Sequence, residues 1–314
     1  MANLTTRSFV AALLAAAASL VVTPHARAQA TTGRTLTDLA YASLSPAQRL
    51  DIHLPDSGAP PYPVVLQIHG GAFAGGDKAD GQLRPVLAAR TRGYAVVAIN
   101  YRLSGEARFP APIQDVKAAI RWVRANGTRY GLDTARIAVW GNSAGGNLAA
   151  LAGTSGGVAA LDDPALGNAG LSSRVQAVVD WYGPIDFLQM DPQFRASGLG
   201  RPDHSAADSP ESRLLGGALT DVPDRVAAAN PETYVSADDP PFLVQHGTRD
   251  PLVPTQQSVH FAAALRAVIG ADRVTLDLLD GASHGGPAFE TPANLAKVLD
   301  FLDRALGRTP RTGR

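Results

Sequence analysis

The sequence predicts an α/β fold with an eight-stranded, mostly parallel sheet flanked by helices. Short, apolar, β-branched runs alternate with longer amphipathic runs, which is the pattern of a parallel sheet with crossover helices. Of the 314 residues, 45% are hydrophobic and 18% are charged, which is enough apolar material for one sizeable core. The chain contains no cysteine, so disulfides and thiolate metal sites are excluded.

Eight segments fit strands and five fit helices. The predicted strands are Thr35–Tyr41, Leu50–Leu54, Val64–His69, Ala95–Ile99, Ile137–Trp140, Val175–Trp181, Phe242–Gln245 and Val274–Leu278. The predicted helices are Gln82–Arg92, Pro112–Tyr130, Ala144–Ala152, Thr255–Ile269 and Thr291–Leu306.

The N-terminal segment has the pattern of a secretory signal peptide. Met1 to Arg7 carries one positive charge and precedes an apolar run from Phe9 to Val22, which is too short to span a bilayer comfortably. Small-residue processing sites follow at Ala26-Arg27-Ala28 and Ala28-Gln29-Ala30. We therefore expect a signal peptide over residues 1–30, cleaved after Ala28 or Ala30, and a secreted or periplasmic protein without a stable membrane anchor.

One long segment, Phe187–Ser236, departs from the alternating pattern and is rich in Pro, Asp and Ser. An insertion of this length in a compact domain is typically functional. Several of its residues are apolar and can dock on a core: Phe187, Met190, Phe194, Leu214 and Leu215. The segment is therefore expected to form a small lid over a site rather than an unstructured surface loop.

The pentapeptide Gly141-Asn142-Ser143-Ala144-Gly145 matches the G-x-S-x-G pattern, in which a serine occupies a tight strand-to-helix turn. The match alone is weak, because the pentapeptides around Ser155 and Ser283 fit the same pattern. Only Ser143 follows a predicted buried strand and opens a helix at once. Ser155 follows a helix instead, and prolines interrupt the segment after Ser283. The context therefore predicts that Ser143 is a nucleophile rather than a structural turn serine.

A nucleophilic serine needs a neighbouring base, and the base needs a third group that fixes its tautomer. In chains with this strand–serine–helix turn, the acid and then the histidine follow the serine, each in a loop at the carboxyl end of a strand. His284 stands in such a loop, among small residues, and is predicted to be the base. His246 also follows a strand, but it precedes the acid and fits a hydrogen-bonded structural residue better.

Asp250 is the predicted acid. It follows the strand that ends near His246, and it precedes Pro251, which favours an extended or turn backbone. The rival acids are Asp186, Asp238 and Asp239. Asp250 alone combines the expected order with a strand-end position.

The segment His69-Gly70-Gly71-Ala72-Phe73 follows the third predicted strand, and its small residues leave backbone amides free to face a substrate carbonyl. The predicted oxyanion donors are the amides of Gly71, Ala72 and Ala144. His69 is expected to position this loop rather than act as a second base. A phosphate-binding loop is the alternative, but Gly76-Asp77-Lys78 places an anion where phosphate needs compensating charge.

Other classes of function lack support in the sequence. The formal net charge is zero and no basic cluster stands out, so nucleic acid is not an expected partner. There is no H-E-x-x-H helix and no G-x-G-x-x-G turn after a strand, and we expect neither a metal nor a cofactor.

With these motifs, the chain resembles bacterial α/β-hydrolase esterases related to the hormone-sensitive lipase family, especially acetylxylan and feruloyl esterases. The resemblance implies an α/β-hydrolase catalytic domain over residues 31–314, with triad roles for Ser143, Asp250 and His284. It also implies oxyanion roles for the three amides. Ala72 departs from the pattern, because the lipase-type loop commonly has a third glycine there, and this narrows the approach to the carbonyl. The matching segments are Leu39-Ala40-Tyr41, Gln48 to Pro55, His69-Gly70-Gly71, Asn100-Tyr101-Arg102, Asp115, Gly141 to Gly146, and the Asp250 and His284 loops.

The sequence and the resemblance together predict an exported serine carboxylesterase that acts through an acyl-enzyme. Its expected partners are small-molecule or carbohydrate-linked esters, such as short-chain acyl, acetyl or feruloyl esters, with Phe73, Trp181 and Tyr182 as pocket walls. Two alternatives stay open: an amide hydrolase of the formamidase or prolyl peptidase type, and a non-catalytic binding module of the same fold.

Overall fold

A computed structural model describes residues 1–2 and 33–308 of the chain. The predicted signal peptide, apart from Met1 and Ala2, and both predicted cleavage sites lie outside the described residues. The expectation of a signal peptide stays a prediction.

One eight-stranded sheet forms the centre of the fold, with the strand order β1-β2-β4-β3-β5-β6-β7-β8. The first two strands pair antiparallel, β2 pairs antiparallel with β4, and all other neighbours are parallel. The eight-stranded, mostly parallel sheet is therefore confirmed. The strands are β1 (Thr35–Ala40), β2 (Arg49–His53), β3 (Tyr62–Ile68), β4 (Ala95–Ile99), β5 (Leu132–Asn142), β6 (Ala177–Trp181), β7 (Phe242–Gly247) and β8 (Val274–Leu279).

Helices cover both faces of the sheet, so the central strands are buried on both sides. For this reason β4 is a continuous apolar run, and β3 is apolar apart from the buried Gln67, so neither strand alternates between apolar and polar residues. The helices are α1 (Leu83–Val86), α2 (Ala111–Tyr130), α3 (Ala144–Thr154), α4 (Phe187–Ser197), α5 (Pro210–Leu215), α6 (Pro223–Ala229), α7 (Gln256–Ile269), α8 (Pro287–Glu290) and α9 (Pro292–Ala305). Apolar residues of α2, α3 and α7 pack on one face, and those of α1 and α9 pack on the other. Within the described ranges, no helix has the length and apolar character that a membrane crossing needs.

The parallel strands bring five loops to one edge of the sheet. The loops after β3, β5, β6, β7 and β8 all start at carboxyl ends of strands, where open α/β sheets hold their ligand sites. Residues far apart in sequence therefore meet at this edge.

The insertion at residues 187–236 is folded and helical. It contains α4, α5 and α6, and its apolar residues Phe187, Met190, Phe194, Leu214 and Leu215 are all at most 1% exposed. Local caps fix its helices, since the side chain of Asp186 accepts from the amide of Leu188 and that of Ser209 accepts from the amide of Ser212. The segment is thus a docked cap beside the sheet edge.

One sequence expectation about a helix was wrong in detail, and another was confirmed. The helix predicted over Gln82–Arg92 is the single turn α1 followed by a 3₁₀ turn at Leu87–Arg92, which Gly93 ends with φ 80°. As predicted, no helix begins directly after Ser283. Pro287 and Pro292 begin α8 and α9, at first-turn positions where a missing amide hydrogen costs nothing.

Candidate active site

Ser143 occupies the sharp turn between β5 and α3. Its backbone has φ 55° and ψ −121°, a conformation that non-glycine residues rarely adopt and that is often found at functional sites. The amide of Ser143 donates to the carbonyl of Trp181 at 2.9 Å, which ties the turn to the end of β6. The side chain is half-buried at the sheet edge.

Two glycines of the pentapeptide are required by close packing. A Cβ atom at Gly145 would collide with the carbonyl oxygens of Ile68 and His69, and one at Gly141 would collide with the carbonyl of Gly145. The turn therefore packs directly against the end of β3, so that the serine and the loop after β3 lie side by side.

The structure brings Ser143, His284 and Asp250 into one hydrogen-bonded chain. His284 Nε2 lies 2.9 Å from Ser143 Oγ, and His284 Nδ1 lies 2.7 Å from Asp250 Oδ2. The second carboxylate oxygen accepts from the amides of Leu252 and Val253 at 2.8 and 2.9 Å. Each member comes from a different loop at the same edge of the sheet.

Asp250 is fully buried and remains a carboxylate. Burial by itself would raise its pKa, but hydrogen bonds from His246 and His284 outweigh that effect and hold the pKa of Asp250 well below its usual range. A carboxylate beside Nδ1 of His284 keeps the ring proton there. The uncharged ring then presents Nε2 to Ser143 as a proton acceptor.

The rival acids are engaged elsewhere. Asp186 caps α4 through the amide of Leu188, and Asp239 accepts from the amide and hydroxyl of Ser236 at 2.9 Å each. The side chain of Asp238 is 80% exposed.

The two competing serines are also in other roles. Ser155 is buried at the end of α3 and donates to the carbonyl of Leu151 at 2.6 Å. Ser283 lies next to His284 in the loop after β8, where it bridges to Gly285.

The loop after β3 has the shape expected of an oxyanion site. Gly71, Ala72 and Phe73 have φ values of 118°, 54° and 58°, so three successive residues lie in the left-handed region. In the part of the chain that the structure describes, the amides of Gly71, Ala72 and Ala144 donate to no protein acceptor. The loop that carries Gly71 and Ala72 and the turn that carries Ala144 both flank Ser143. These three amides are therefore suited to receive a developing oxyanion.

Several contacts hold this loop in place. Gln82 Oε1 accepts from the amide of Gly70 at 2.9 Å, and the hydroxyl of Tyr101 donates to the carbonyl of His69 at 2.9 Å. The ring of His69 stacks on Tyr101 with centroids 4.5 Å apart, and its Nδ1 donates to the Gly70 carbonyl at 2.7 Å. Burial lowers the pKa of His69, which fits an uncharged ring that holds the loop.

A cavity of about 630 Å³ opens from Ser143 toward the insertion. The loops of the sheet edge give it apolar walls, including Phe73, Pro184 and Val253. The insertion contributes ionisable residues: Arg201, Asp203, His204 and Glu211. Of the predicted pocket walls, Phe73 therefore lines this cavity.

A second cavity of about 440 Å³ also reaches Ser143 and His284. The other two predicted wall residues, Trp181 and Tyr182, line it together with Phe289. The ring of Tyr182 packs edge-on against His284 with centroids 4.6 Å apart. Burial raises the pKa of Tyr182 to about 12, so its phenol stays protonated.

One polar pair in the larger cavity was missed by sequence reasoning. His204 Nδ1 lies 3.2 Å from Glu211 Oε1, and the Glu211 side chain is 6% exposed. Burial opposes a charge on His204, but the adjacent carboxylate raises the pKa of His204 above its ordinary value. The only sequence signal was two ionisable residues inside an insertion that also carries docking apolar residues. Among the described residues, no cluster of three or more His, Asp or Glu could hold a metal ion.

The sheet order, the strand–serine–helix turn and the loops at the strand ends define an α/β-hydrolase fold. The chain belongs to the BD-FAE family, whose model matches residues 50–265. The predicted relationship to α/β-hydrolase esterases is thereby confirmed.

Named relatives support the same family. The probable carboxylic ester hydrolase LipM of Mycobacterium tuberculosis is 37% identical over 74% of this chain and 52% of its own length. Esterase LipQ of the same organism is 35% identical over 91% of this chain and 65% of its own length. The chain thus spans between about half and two thirds of these curated relatives. A solved structure, a truncated form of a carbohydrate esterase from gut microbiota, is 34% identical with a TM-score of 0.79, over 90% of this chain and 99% of that one.

Proposed function

We propose that this chain is a serine carboxylesterase in which Ser143, His284 and Asp250 form the catalytic triad. The observation that carries the proposal is the hydrogen-bonded chain from Ser143 Oγ through both ring nitrogens of His284 to the buried Asp250 carboxylate. The esterase names of the relatives support ester chemistry over the amide and binding-module alternatives.

The geometry supports a two-step reaction. Ser143 Oγ attacks the ester carbonyl while its proton passes to Nε2 of His284, and the tetrahedral oxyanion is stabilised by the amides of Gly71, Ala72 and Ala144. His284 then returns the proton to the leaving alcohol as the carbon–oxygen bond breaks. Water, deprotonated by the same nitrogen, hydrolyses the acyl-enzyme and restores Ser143.

We further propose that the natural substrates are esters with a polar, hydroxylated part, such as acetylated or feruloylated carbohydrates. The cavity between the nucleophile and the insertion has apolar walls that suit an acyl or aromatic group. The His204–Glu211 pair and Arg201 add hydrogen-bonding groups that a purely alkyl ester would leave unused. The carbohydrate esterase with a similar structure supports this substrate class.

An ester panel tests the proposal directly. Purified protein is assayed with p-nitrophenyl esters of increasing acyl length, acetylated xylan and methyl ferulate, beside N-formylkynurenine and a prolyl amide. We expect ester hydrolysis, with Ser143→Ala reducing kcat by several orders of magnitude. A fluorophosphonate should label Ser143 and no other residue. Wild-type turnover by the Ser143→Ala variant, or a preference for the amides, would overturn the proposal.

Export is proposed as well, on the charged, apolar and small-residue pattern of residues 1–30. Expression of the full chain in a bacterial host with a functional secretion system provides the test. We expect the N-terminus of the exported protein to begin at Gln29 or Thr31. A protein retained in the cytoplasm with its first residues intact would contradict export.

A further inference from the structure

A second histidine contacts the acid of the proposed triad. His246 lies at the end of β7, is completely buried, and precedes Asp250 by four residues. Its Nε2 lies 3.1 Å from Asp250 Oδ2, the same oxygen that accepts from His284, and 3.0 Å from the carbonyl of Val253. Its Nδ1 lies 2.6 Å from the hydroxyl of Ser258 on α7.

These contacts determine where the ring proton of His246 lies. A carboxylate and a carbonyl oxygen can only accept hydrogen bonds, so Nε2 must carry a proton. In the uncharged ring, Nδ1 is then the acceptor, and the Ser258 hydroxyl donates to it. Since α7 packs on the sheet through buried residues such as Phe261, Ser258 orients the ring from a fixed helix.

We propose that His246 is a positioning residue for the catalytic acid. Its Nε2–H lies between the Val253 carbonyl and Oδ2 of Asp250, the oxygen that also accepts from His284, so it restrains the rotation of the carboxylate and withdraws part of the charge that faces His284. This inference rests on the proposed function, because it assigns a partner to the acid of the same triad.

Loss of the Nε2–H donor of His246 affects the proposed base, His284. When the Nε2–H donor is lost, the Asp250 carboxylate acts more strongly on His284 and stabilises its protonated form. The acidic limb of the pH profile of kcat/KM, which reports the proposed base, then moves to higher pH. The titratable groups that face Asp250 in the described part of the chain are His246, His284 and Tyr182. Burial and then the Asp250 charge raise the pKa of the Tyr182 phenol to about 12, so it does not titrate in this range.

Nitrogen NMR of the wild-type protein labelled with ¹⁵N-histidine tests the tautomer without any substitution. We expect Nε2 of His246 to carry a proton. A ring protonated only at Nδ1 would overturn the proposal, because Nε2 could not then donate to Asp250.

The functional test compares His246→Leu, which removes the donor, with His246→Gln, which offers an amide donor. For His246→Leu we expect the midpoint of the acidic limb to shift to higher pH by about 0.5 to 1 unit. We also expect kcat to fall by about tenfold, with KM little changed. His246→Gln should recover part of both effects. An acidic limb in His246→Leu that coincides with the wild-type limb would refute the positioning role.

Two control variants separate this role from general effects. Phe261→Leu truncates a fully buried residue of α7 and should lower stability without moving the acidic limb. His260→Leu removes an exposed histidine of the same helix. It should change neither the stability of the fold nor the position of the acidic limb. If the acidic limb of the pH profile moved equally in Phe261→Leu, the effect of His246→Leu would be explained by lower stability and not by a positioning role. Failure of the triad itself would appear differently, as ester hydrolysis that survives Ser143→Ala.

Discussion

The substitution Asp250→Asn probes the site most sharply, because it keeps the shape of the side chain and changes only its charge and one acceptor. In the native site, one carboxylate oxygen accepts from two backbone amides, and the other accepts from His284 at 2.7 Å and faces His246 at 3.1 Å. The asparagine oxygen can replace only one of these two acceptors. We expect it to stay with the two amides, since their backbone is fixed.

The asparagine amide group would then point two N–H bonds at two imidazoles that also donate. His284 can relieve this conflict by moving its proton to Nε2, but that nitrogen could then no longer accept the proton of Ser143. By analogy with the same substitution in a serine protease triad, kcat should fall by about 10⁴-fold, or about 5.5 kcal/mol of transition-state stabilisation. KM should change much less.

The assay is steady-state hydrolysis of p-nitrophenyl acetate, with the fold of each variant checked by circular dichroism and thermal unfolding. Asp238→Asn is the matched control, because this rival acid is 80% exposed and should behave as wild type. If folded Asp250→Asn kept kcat within tenfold of wild type while Ser143→Ala was inactive, Asp250 would not be the residue that orients the base.

Three further predictions concern pH, specificity and packing. Because the folded pKa of Asp250 lies below its unfolded value, its carboxylate stabilises the fold above about pH 4, and this contribution is lost as the pH falls toward the folded pKa. The midpoint of thermal unfolding should therefore fall less steeply between about pH 4 and 2 in Asp250→Asn, and equal slopes would contradict this. Glu211→Gln should raise KM for a sugar acetate by about two- to tenfold more than it raises KM for p-nitrophenyl acetate. Equal changes in the two KM values would show that Glu211 does not contribute to recognition of the sugar. Gly145→Ala should destabilise the fold by about 1–3 kcal/mol in urea unfolding and lower activity, while Gly105→Ala, where a Cβ meets nothing within 4 Å, should do neither.

Local sequence patterns were sufficient to predict most of the fold. The β-branched runs that became β3 and β4 are buried on both faces, so their apolar residues are almost uninterrupted and easily identified, with Gln67 the one polar residue in the two strands. The nucleophile was predicted for a similar reason. The turn at Ser143 needs a strand before it, a helix after it and small residues around it, and all three requirements are local.

Boundaries and short helices were less predictable. Strand β5 runs from Leu132 to Asn142, although only its apolar centre was predicted, because its first residues lie nearer the surface and lack an apolar pattern. The insertion carried no clear periodicity, yet α4, α5 and α6 form there. Side-chain caps stabilise α4 and α5, and buried apolar side chains stabilise all three helices, which are too short to form alone.

The sequence by itself determined the α/β class and the serine on its turn, since each depends on residues close together along the chain, and it gave the order in which Ser143, Asp250 and His284 follow one another. Only the tertiary structure decided that Ser143, His284 and Asp250 lie within hydrogen-bonding distance, because the parallel sheet sets the spacing of its strand ends. It also decided that His246, which has the same local context as many structural histidines, contacts Asp250, and that His204 and Glu211 pair in the larger cavity. Such contacts depend on side-chain direction and on packing between distant segments, and no local pattern encodes either.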